Sequence, residues 1–580
     1  MKRNIITIVL VALVVLLALP CKIFAADTLV VYASDVRTLD QIINSDTNST
    51  GALKHVYKLV SLDTTYIFSA TITVKSDLTI IGVLGPGANG TGRPPCIQPN
   101  VLPDGSIPAI LFTMIGNNTK GTFKNLYLMG LSTNSSPTLS TLGVGIQISG
   151  NSIKLYVDNC VFEEWRAFAI GYNGQWDSFF ITNCKFRNTV DPSQQYEGEV
   201  LRNEYPGAAY TDSIVMKYNT IFAINCYSAA PVTKYYERYF EFSHNSVVYS
   251  FKNPFFIFNV TDAKINNNIF YSTWAGGISK TEYPWWDQLW SPEVGSIIDM
   301  DTLDIAKDSV FNPTDYGKTN FRMLSEAKRT VEVKNNVCFW HPSLVNFWKT
   351  WNDTATVDSI YTPTWMNTRT TGMFNKPSVW PGIVESGNLN VDPGYGASVV
   401  DVLANTSGLN GVGFFNYFRT MRSGTASTTI WGYKVQTVTP GIWKPVWPLP
   451  ESVDMQYSNA ALKTGGTDGK PIGDLWWFNG ITGIHDAPLP VPNQFALYNA
   501  YPNPFNPSTK IKFNIGQAGN VSLKIYNVMG QLVKTVIDNV YKNSGQFEYS
   551  VKMDNLTSGI YFYTLTQGNQ AITKKMVLLK

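Results

Sequence analysis

The pattern that decides the fold is clearest in the stretch Phe179-Phe180-Ile181-Thr182-Asn183-Cys184-Lys185-Phe186, where an apolar strand runs into Asn-x-x-Phe. The pattern recurs along the chain, sometimes in a weakened form. Its copies begin at Asn125, Asn159, Asn183, Asn219, Asn245, Asn267 and Asn336, which are 34, 24, 36, 26, 22 and 69 residues apart. A spacing of 22–26 residues is typical of one coil of a solenoid made of short strands, and longer spacings indicate coils with inserted loops.

Stacked coils place equivalent side chains in columns, because each coil lies about 4.8 Å above the previous one. We therefore expect Phe186 and Phe222 to be buried in the core. We expect Asn183 and Asn219 to stack at a bend, where asparagine tolerates a left-handed backbone and bonds the backbone of neighbouring coils. An exposed Phe186 would contradict this register.

These columns resemble the right-handed parallel β-helix of the pectate-lyase-like superfamily. The resemblance covers residues 26–398 and implies a fold rather than an activity. The alternative is a β-sandwich, but the Asn-Gly hairpin turns typical of sandwiches are rare here. An aromatic-rich insertion lies around 274–330, and residues 399–486 lose the pattern, so we predict that they form an irregular segment packed on the β-helix.

Composition excludes several classes of function. A basic start, an apolar run and small residues before Ala26 predict a signal peptide over 1–25, and no later run is long enough to span a membrane. Cleavage there leaves 42 basic and 42 acidic residues, so a nucleic-acid partner is not expected. The five remaining cysteines form no disulfide framework or zinc motif. Cys160 and Cys184 share a column, either as buried thiols or as a disulfide.

The C-terminal part is a separate unit. A Pro-rich linker spans 487–492, and alternating strands after it predict a small antiparallel Ig-like β-sandwich over 493–580. This unit contains nine lysines, no arginine and three acids, a net charge of +6. Its opening phrase, Tyr501-Pro502-Asn503-Pro504-Phe505-Asn506-Pro507, and its later phrases Ile525–Gln531, Ser558–Tyr561 and Lys574–Met576 resemble the type A sorting domain of the type IX secretion system.

That resemblance implies Sec-dependent export, passage across the outer membrane by the type IX machinery, and a final location outside the cell or on its surface. In the family, which occurs in Bacteroidota, the body is often attached to surface lipopolysaccharide or released. The residues that carry the sorting signal by this resemblance are Pro502, Asn503, Pro504, Phe505, Asn506, Pro507, Gly530, Gly559, Lys574 and Lys575.

Catalytic motifs of related β-helix enzymes are absent. The chain has neither the Arg-x-Pro-x-x-Arg phrase of pectate lyases nor the Asn-Thr-Asp, Asp-Asp and Gly-His-Gly phrases of galacturonan hydrolases. The remaining candidates for proton transfer on an acidic sugar are Glu163, Glu164, Arg187, Arg202 and Arg238. Ordinary ion pairs on a solvated face explain the same residues, and we prefer that interpretation.

Three tryptophans within six residues, Trp285, Trp286 and Trp290, are the best candidates for stacking on a sugar, although aromatic packing of loops is the simpler explanation. We expect no cofactor and no metal; some related lyases use calcium, but no motif supports it here. The sequence favours a non-catalytic polysaccharide-binding or structural role in a surface coat or matrix, with self-assembly as one form of it. The alternative is a polysaccharide lyase or glycoside hydrolase that acts on an acidic polysaccharide.

Overall fold

A computed structural model gives the architecture in two compact units, one before residue 480 and one after residue 494. The predicted signal peptide lies outside the described residues. The structure describes residues 27–60, 64–85, 92–132, 143–191, 195–204, 210–229, 237–255, 257, 260–282, 295–303, 326–354, 358–403, 413–422, 437–439, 442–443, 455–479, 495–500, 502–515, 519–542, 545–568 and 570–580.

The first unit, the body, is built from three parallel sheets that we name A, B and C. Sheet A has eleven strands: Asp27–Val31, His55–Leu59, Leu78–Gly82, Lys120–Lys124, Lys154–Asp158, Asp177–Thr182, Thr211–Lys217, Glu237–Ser243, Val260–Asn266, Thr330–Lys334 and Ile383–Ser386. Sheet B has nine: Tyr66–Phe68, Cys96–Pro99, Tyr127–Met129, Val161–Glu163, Lys185–Thr189, Thr220–Ile224, Ser246–Ser250, Ile269–Tyr271 and Val337–Phe339. Sheet C has five: Ile72–Val74, Ile110–Met114, Val144–Ile148, Phe168–Tyr172 and Glu199–Asn203.

The chain visits the sheets in the repeating order A, B, C. One coil contains Lys154–Asp158 in sheet A, Val161–Glu163 in sheet B and Phe168–Tyr172 in sheet C, and the next coil begins with Asp177–Thr182 in sheet A. Each strand pairs in parallel with its counterpart in the next coil. The predicted fold class is therefore confirmed: the body is a parallel β-helix.

Alternating side chains of each strand fill the interior. One inner column of sheet B contains Leu128, Phe162, Phe186, Ile221, Val247, Phe270 and Cys338. The rings of Phe162 and Phe186 stack with their centroids 4.9 Å apart. Both predicted phenylalanines are buried, but Phe222 pairs in register with Arg187 and belongs to a cluster on the outer side of sheet B.

The predicted stacking of Asn183 on Asn219 is wrong by one residue. Asn183 has a positive φ of 56°, and the residue that takes this place in the next coil is Tyr218, with φ 57°. Asn219 is the next residue along the chain and equivalent to Cys184, whose backbone N–H donates to the Asn219 side chain at 2.8 Å. The repeat thus has asparagine at two consecutive positions: the first adopts the left-handed backbone, and the second donates and accepts side-chain hydrogen bonds. A sequence pattern that treats the two positions as one assigns the register wrongly by one residue.

The second position forms a continuous ladder of side-chain amides. Its members are Asn219, Asn245, Asn268, Asn336 and Asn388. Each side-chain nitrogen donates to the carboxamide oxygen of the next member, at 2.9–3.1 Å. It also donates to a backbone carbonyl of an inner strand, such as that of Phe242 for Asn268. The ladder satisfies polar backbone groups that the tight turn leaves without strand partners.

Cys160 and Cys184 precede the ladder in the same position, and both are free, fully buried thiols. Burial, together with the Cys184 thiol beside it, raises the pKa of Cys160 well above its ordinary value. Buried neutral thiols act here as small apolar side chains.

Shorter elements lie outside the three sheets. The helices are Leu39–Ser45, Pro342–Thr354, Thr368–Phe374, Ala397–Val400, Phe414–Arg422 and Trp476–Asn479, with 3-10 turns at Glu326–Lys328 and Ala460–Lys463. Ile278–Ser279 pairs with Ile360–Tyr361, Ser296–Ile298 with Thr364–Met366, and Thr437–Thr439 with Ile442–Trp443. Ile278–Ser279 and Ser296–Ile298 lie in the predicted insertion, and their partner strands follow it in the chain.

The second unit, the tail, is an antiparallel sandwich, as predicted. One sheet contains Ala496–Leu497, Ser508–Ile515 and Gly545–Lys552. The other contains, in spatial order, Leu532–Lys542, Gly519–Asn527, Gly559–Gln567 and Gln570–Leu578. Apolar side chains of both sheets form one core, with Phe513, Leu523 and Tyr563 fully buried.

Candidate functional site

Two of the sequence-predicted catalytic candidates, Glu163 and Arg187, lie on the outer side of sheet B. Glu163 and Arg187 occupy equivalent positions in adjacent coils, so that their side chains stack. Arg187 Nη2 donates to Glu163 Oε2 at 2.9 Å and to the Tyr127 hydroxyl oxygen at 3.0 Å, while that hydroxyl donates to Glu163. Glu164 is the next residue and is also buried.

Burial sets the chemistry of this cluster. The side chains of Arg187 and Glu163 are 4% and 1% exposed. Burial raises the pKa of Tyr127 well above its usual value, although Arg187 opposes the shift. Burial, followed by the charge of Glu163, also raises the pKa of Glu164. A protonated tyrosine and a closed ion pair offer no accessible base to a substrate.

Arg202 lies on sheet C with acidic neighbours of its own. It contacts Glu197 at 3.0 Å and Glu199 at 3.4 Å, and its guanidinium lies 5.6 Å from the centre of the Phe168 ring. Burial raises the pKa of Glu199 to about 8, against the lowering effect of Arg202.

Arg238 lies on sheet A and is held by the bulged residue Asp212. Its Nε donates to Asp212 Oδ1 at 2.8 Å, and its Nη2 donates to the Ser213 hydroxyl at 3.0 Å. Burial alone would raise the pKa of Asp212, but the hydrogen bonds and charge of Arg238 lower it. The neighbouring Glu237 is buried, and no hydrogen bond from the described residues satisfies its carboxylate.

The five candidates therefore do not converge. The three arginines lie on three different sheets, and each forms an ion pair with its own carboxylate. The structure brings together only Glu163, Glu164 and Arg187, and it buries them. The predicted tryptophan platform, Trp285, Trp286 and Trp290, lies outside the described residues.

The outer face of sheet B is covered by the chain that follows the last coil. Lys185 and the Thr220 hydroxyl both reach Asp474 Oδ2 at 2.7 Å. The Trp477 indole donates to Thr220 at 2.7 Å, and the Lys185 ammonium lies 5.1 Å from the Trp476 ring. Aromatic residues in this segment thus pack on the β-helix, and this face is not available to a ligand.

The outer face of sheet A carries a group that the sequence analysis missed. The rings of Tyr156 and Phe180 are nearly parallel, with their centroids 4.8 Å apart and 11° between their planes. Lys120 lies over the other side of Tyr156, 4.9 Å from the ring centre. Lys154 pairs in register with Lys120 and shares the outer face with Tyr156. We call these four residues, Lys120, Lys154, Tyr156 and Phe180, the aromatic shelf.

The shelf is partly open to solvent. Tyr156 is half-buried and Phe180 is buried beneath it, whereas Lys120 is exposed. Neither lysine forms an ion pair with a carboxylate in the part of the chain that the structure describes. Ion pairs lie farther along the outer face of sheet A: Lys124 is 3.3 Å from Asp158, and Lys217 is 2.6 Å from Glu241. Such a face combines a flat ring with many hydrogen-bonding groups.

Across the described ranges, no cluster of three or more His, Cys, Asp and Glu side chains has the geometry to hold a metal ion. None of the helices in those ranges combines the length and the apolar composition that crossing a bilayer requires.

The predicted sorting residues in the tail join its first and last segments. Phe505 is buried, its N–H donates to the carbonyl of Val577, and its own carbonyl accepts from Leu579 N, both at 2.9 Å. The Asn503 side chain accepts from Val577 N at 2.8 Å, and Lys574 Nζ donates to Asn499 at 2.9 Å. The opening phrase is thus bound along the last strand.

Two more of the predicted sorting residues are glycines, one in a turn and one at the start of a strand. Gly530 has a φ of 77° in the turn that follows Gly519–Asn527, a conformation that favours glycine. Gly559, with a φ of 158°, begins the strand Gly559–Gln567. Both glycines are exposed.

Comparison with known proteins identifies the tail alone. Residues 499–579 match the family model described as the secretion system C-terminal sorting domain, a range that includes all ten predicted sorting residues. No curated protein and no solved structure gives a significant match. The chain therefore carries a type IX secretion sorting domain, which interacts with the secretion machinery and marks the protein for export to the cell surface or the extracellular space.

Proposed function

We propose that the exported body binds a polysaccharide without cleaving it, through the outer face of sheet A. The observation that carries the proposal is the aromatic shelf. Phe180 covers one face of the Tyr156 ring, and the exposed side chain of Lys120 lies over the other. A pyranose that displaces this lysine side chain stacks on the face it covered, and such a contact contributes about 1 kcal/mol. The adjacent strands keep the ring in place, so that little conformational entropy is lost on binding.

Charge on the shelf indicates the chemical class of the glycan. Lys120 and Lys154 lie next to each other in register and have no carboxylate partner among the described residues. Their ammonium groups favour a chain that carries carboxylate or sulfate groups. The ion pairs farther along the face supply donors and acceptors for hydroxyl groups, as in other polar binding surfaces of solenoids.

A non-catalytic role agrees with the positions of the candidate bases and acids. Arg187 forms a buried ion pair with Glu163. Arg202 and Arg238 form ion pairs with Glu197 and Asp212 on two other sheets. The lyase or hydrolase alternative needs a base and an acid in one accessible cleft, and no such group forms among the five candidates. A purely structural role in a surface coat, with self-assembly, would leave the shelf without a ligand.

Affinity electrophoresis of the purified full chain in gels that contain polysaccharides tests the proposal. The panel includes polygalacturonate, a sulfated glycan, an alginate and neutral glucans. We expect retardation by an anionic member, weakened about fivefold by Tyr156→Thr, which corresponds to one stacking contact of about 1 kcal/mol. Lys120→Ala should weaken retention mainly at low salt.

A matched control is available on the body. Tyr361 is exposed and has Lys280 over its ring at 5.6 Å, so it reproduces the pairing away from sheet A. Tyr361→Thr should retain wild-type mobility. Equal loss in both variants, or no retardation by any glycan, contradicts the proposal. New reducing or unsaturated ends, with or without calcium, would instead establish the enzyme alternative.

A further inference from the structure

The four-stranded sheet of the tail has an unusual outer face. Its inner face forms the core, but five apolar side chains lie together on the outside. We call them the apolar strip: Leu532, Tyr526, Phe562, Ile560 and Val577. Leu532, Tyr526 and Phe562 pair across three adjacent strands, and Ile560 pairs with Val577 across the next strand boundary.

The strip is open to solvent and is not needed for the core. Leu532 is 51% exposed and Ile560 is 44% exposed, while Tyr526, Phe562 and Val577 are half-buried. The alternating residues of the same strands, such as Ile525 and Tyr563, are fully buried on the other side. Contiguous apolar surface on a folded unit commonly marks a site of interaction with another protein.

The apolar strip contains or borders residues from three sorting-domain motifs that are far apart in the chain. Tyr526 belongs to the phrase 525–531, Ile560 to 558–561, and Lys575, which pairs in register with Phe562, to 574–576. The fold places all three at one end of one face. Val528 and Met529, 67% and 75% exposed, extend the apolar surface into the adjoining turn.

The tail that carries this surface has a net positive charge. The residues from 493 to 580 contain nine lysines and three acids. Lys575 is exposed beside Phe562, whereas Lys524, on the same face next to Tyr526, already pairs with Asp538 at 2.9 Å. A partner that fits the strip therefore presents an apolar surface bordered by carboxylates.

We propose that the apolar strip is the surface by which the sorting domain docks on an outer-membrane protein of the type IX secretion machinery. The match to the sorting family says that the tail has such a partner, and the strip is the exposed surface that joins three of its characteristic phrases. Docking buries Leu532 and Ile560 against the apolar partner surface, and an ion pair with Lys575 fixes the orientation. This inference is independent of glycan binding by the body.

Export of full-chain variants from a host that has type IX secretion tests the inference. The double change Leu532→Ser with Ile560→Ser removes the two most exposed members of the strip. The matched control is Val540→Ser with Tyr541→Ser, because these residues are 45% and 65% exposed at the other end of the same sheet. We expect the strip variant to fall at least tenfold at the surface and in the medium and to accumulate in the periplasm, with the control unchanged. Normal export of the strip variant, or equal retention of the control, overturns the proposal.

A second measurement excludes a folding defect. A photoreactive amino acid replaces Ile560 in the otherwise natural full chain, or Tyr541 in the control, and is activated during export. We expect position 560 to crosslink to an outer-membrane component of the machinery and position 541 not to do so. A crosslink from position 560 only to the same chain or to a second copy overturns the assignment.

Discussion

Replacing Asn268 by alanine should destabilise the β-helix strongly, because this residue lies at the middle of the asparagine ladder. Its carboxamide oxygen accepts from Asn245 N and Nδ2 at 2.8 and 3.1 Å. Its nitrogen donates to the Phe242 carbonyl at 2.7 Å and to Asn336 Oδ1 at 2.9 Å. The side chain is fully buried, so that water cannot replace these four hydrogen bonds.

The magnitude follows from the groups that lose a partner. Asn268→Ala leaves two or three buried polar groups without one, and each costs about 1–3 kcal/mol, which gives a loss of about 2–9 kcal/mol in the free energy of unfolding. Asn388 is the control, because it ends the ladder and is half-buried. Water can replace its lost hydrogen bonds, so Asn388→Ala should cost about 1 kcal/mol.

Urea unfolding of the full chain measures both values. Tryptophan fluorescence reports the body alone, since all 16 tryptophans precede residue 493. Equal destabilisation by the two variants, or a loss below about 1 kcal/mol for Asn268→Ala, would refute the view that the amide ladder holds the coils together.

Four further predictions concern the core, the buried charges and the tail. Phe186→Ala should cost about 3–5 kcal/mol in urea unfolding, as a large-to-small change in the core, and a wild-type midpoint would contradict its place in the column. Arg187→Ala should cost a similar 3–5 kcal/mol by leaving Glu163 buried without its partner, yet leave glycan retention unchanged; lost retention in a folded variant would return Arg187 to the binding site. Burial raises the pKa of Glu237 from 4.5 to about 8, so the folded chain keeps a proton that the unfolded chain releases. Stability should therefore fall by up to about 1.4 kcal/mol per pH unit as the pH rises from about 4.5 to 8, and Glu237→Gln should remove that part of the slope in a pH series of unfolding curves. Deletion of residues 493–580 should leave the folded body in the periplasm of a type IX host, and its normal display on the surface would argue against the sorting role of the tail.

The repeat made the β-helix predictable, because apolar alternation and a recurring turn are local features. The register was less predictable, since Asn183 serves the left-handed turn and Asn219 serves the amide ladder one residue later. Only the stacking of coils separates these two uses. A search that allowed asparagine at either position would have found that Phe186 faces Ile221.

The candidate site was harder to predict than the fold. Arg187 and Glu163 were recognised as candidates, but their pairing with each other and with Tyr127 depends on the stacking of coils. The aromatic shelf joins Tyr156 to Phe180 in the next coil and to Lys120 in the previous one. Its members are separated by 24 and 36 residues, so a motif within one strand gives no sign of it. A search for columns of outward aromatic residues would have shown the first pair.

Hydroxyl-radical footprinting of the exported protein, with and without the polysaccharide that retards it, tests the central claim most directly. Oxidation of each tyrosine is read by mass spectrometry, and the exposed residues Tyr361 and Tyr541 serve as internal references. The proposal predicts that bound polysaccharide protects Tyr156 at least severalfold more than either reference. Protection of Tyr361 or Tyr541 with Tyr156 unchanged would show that the glycan binds elsewhere and that the outer face of sheet A is not the site.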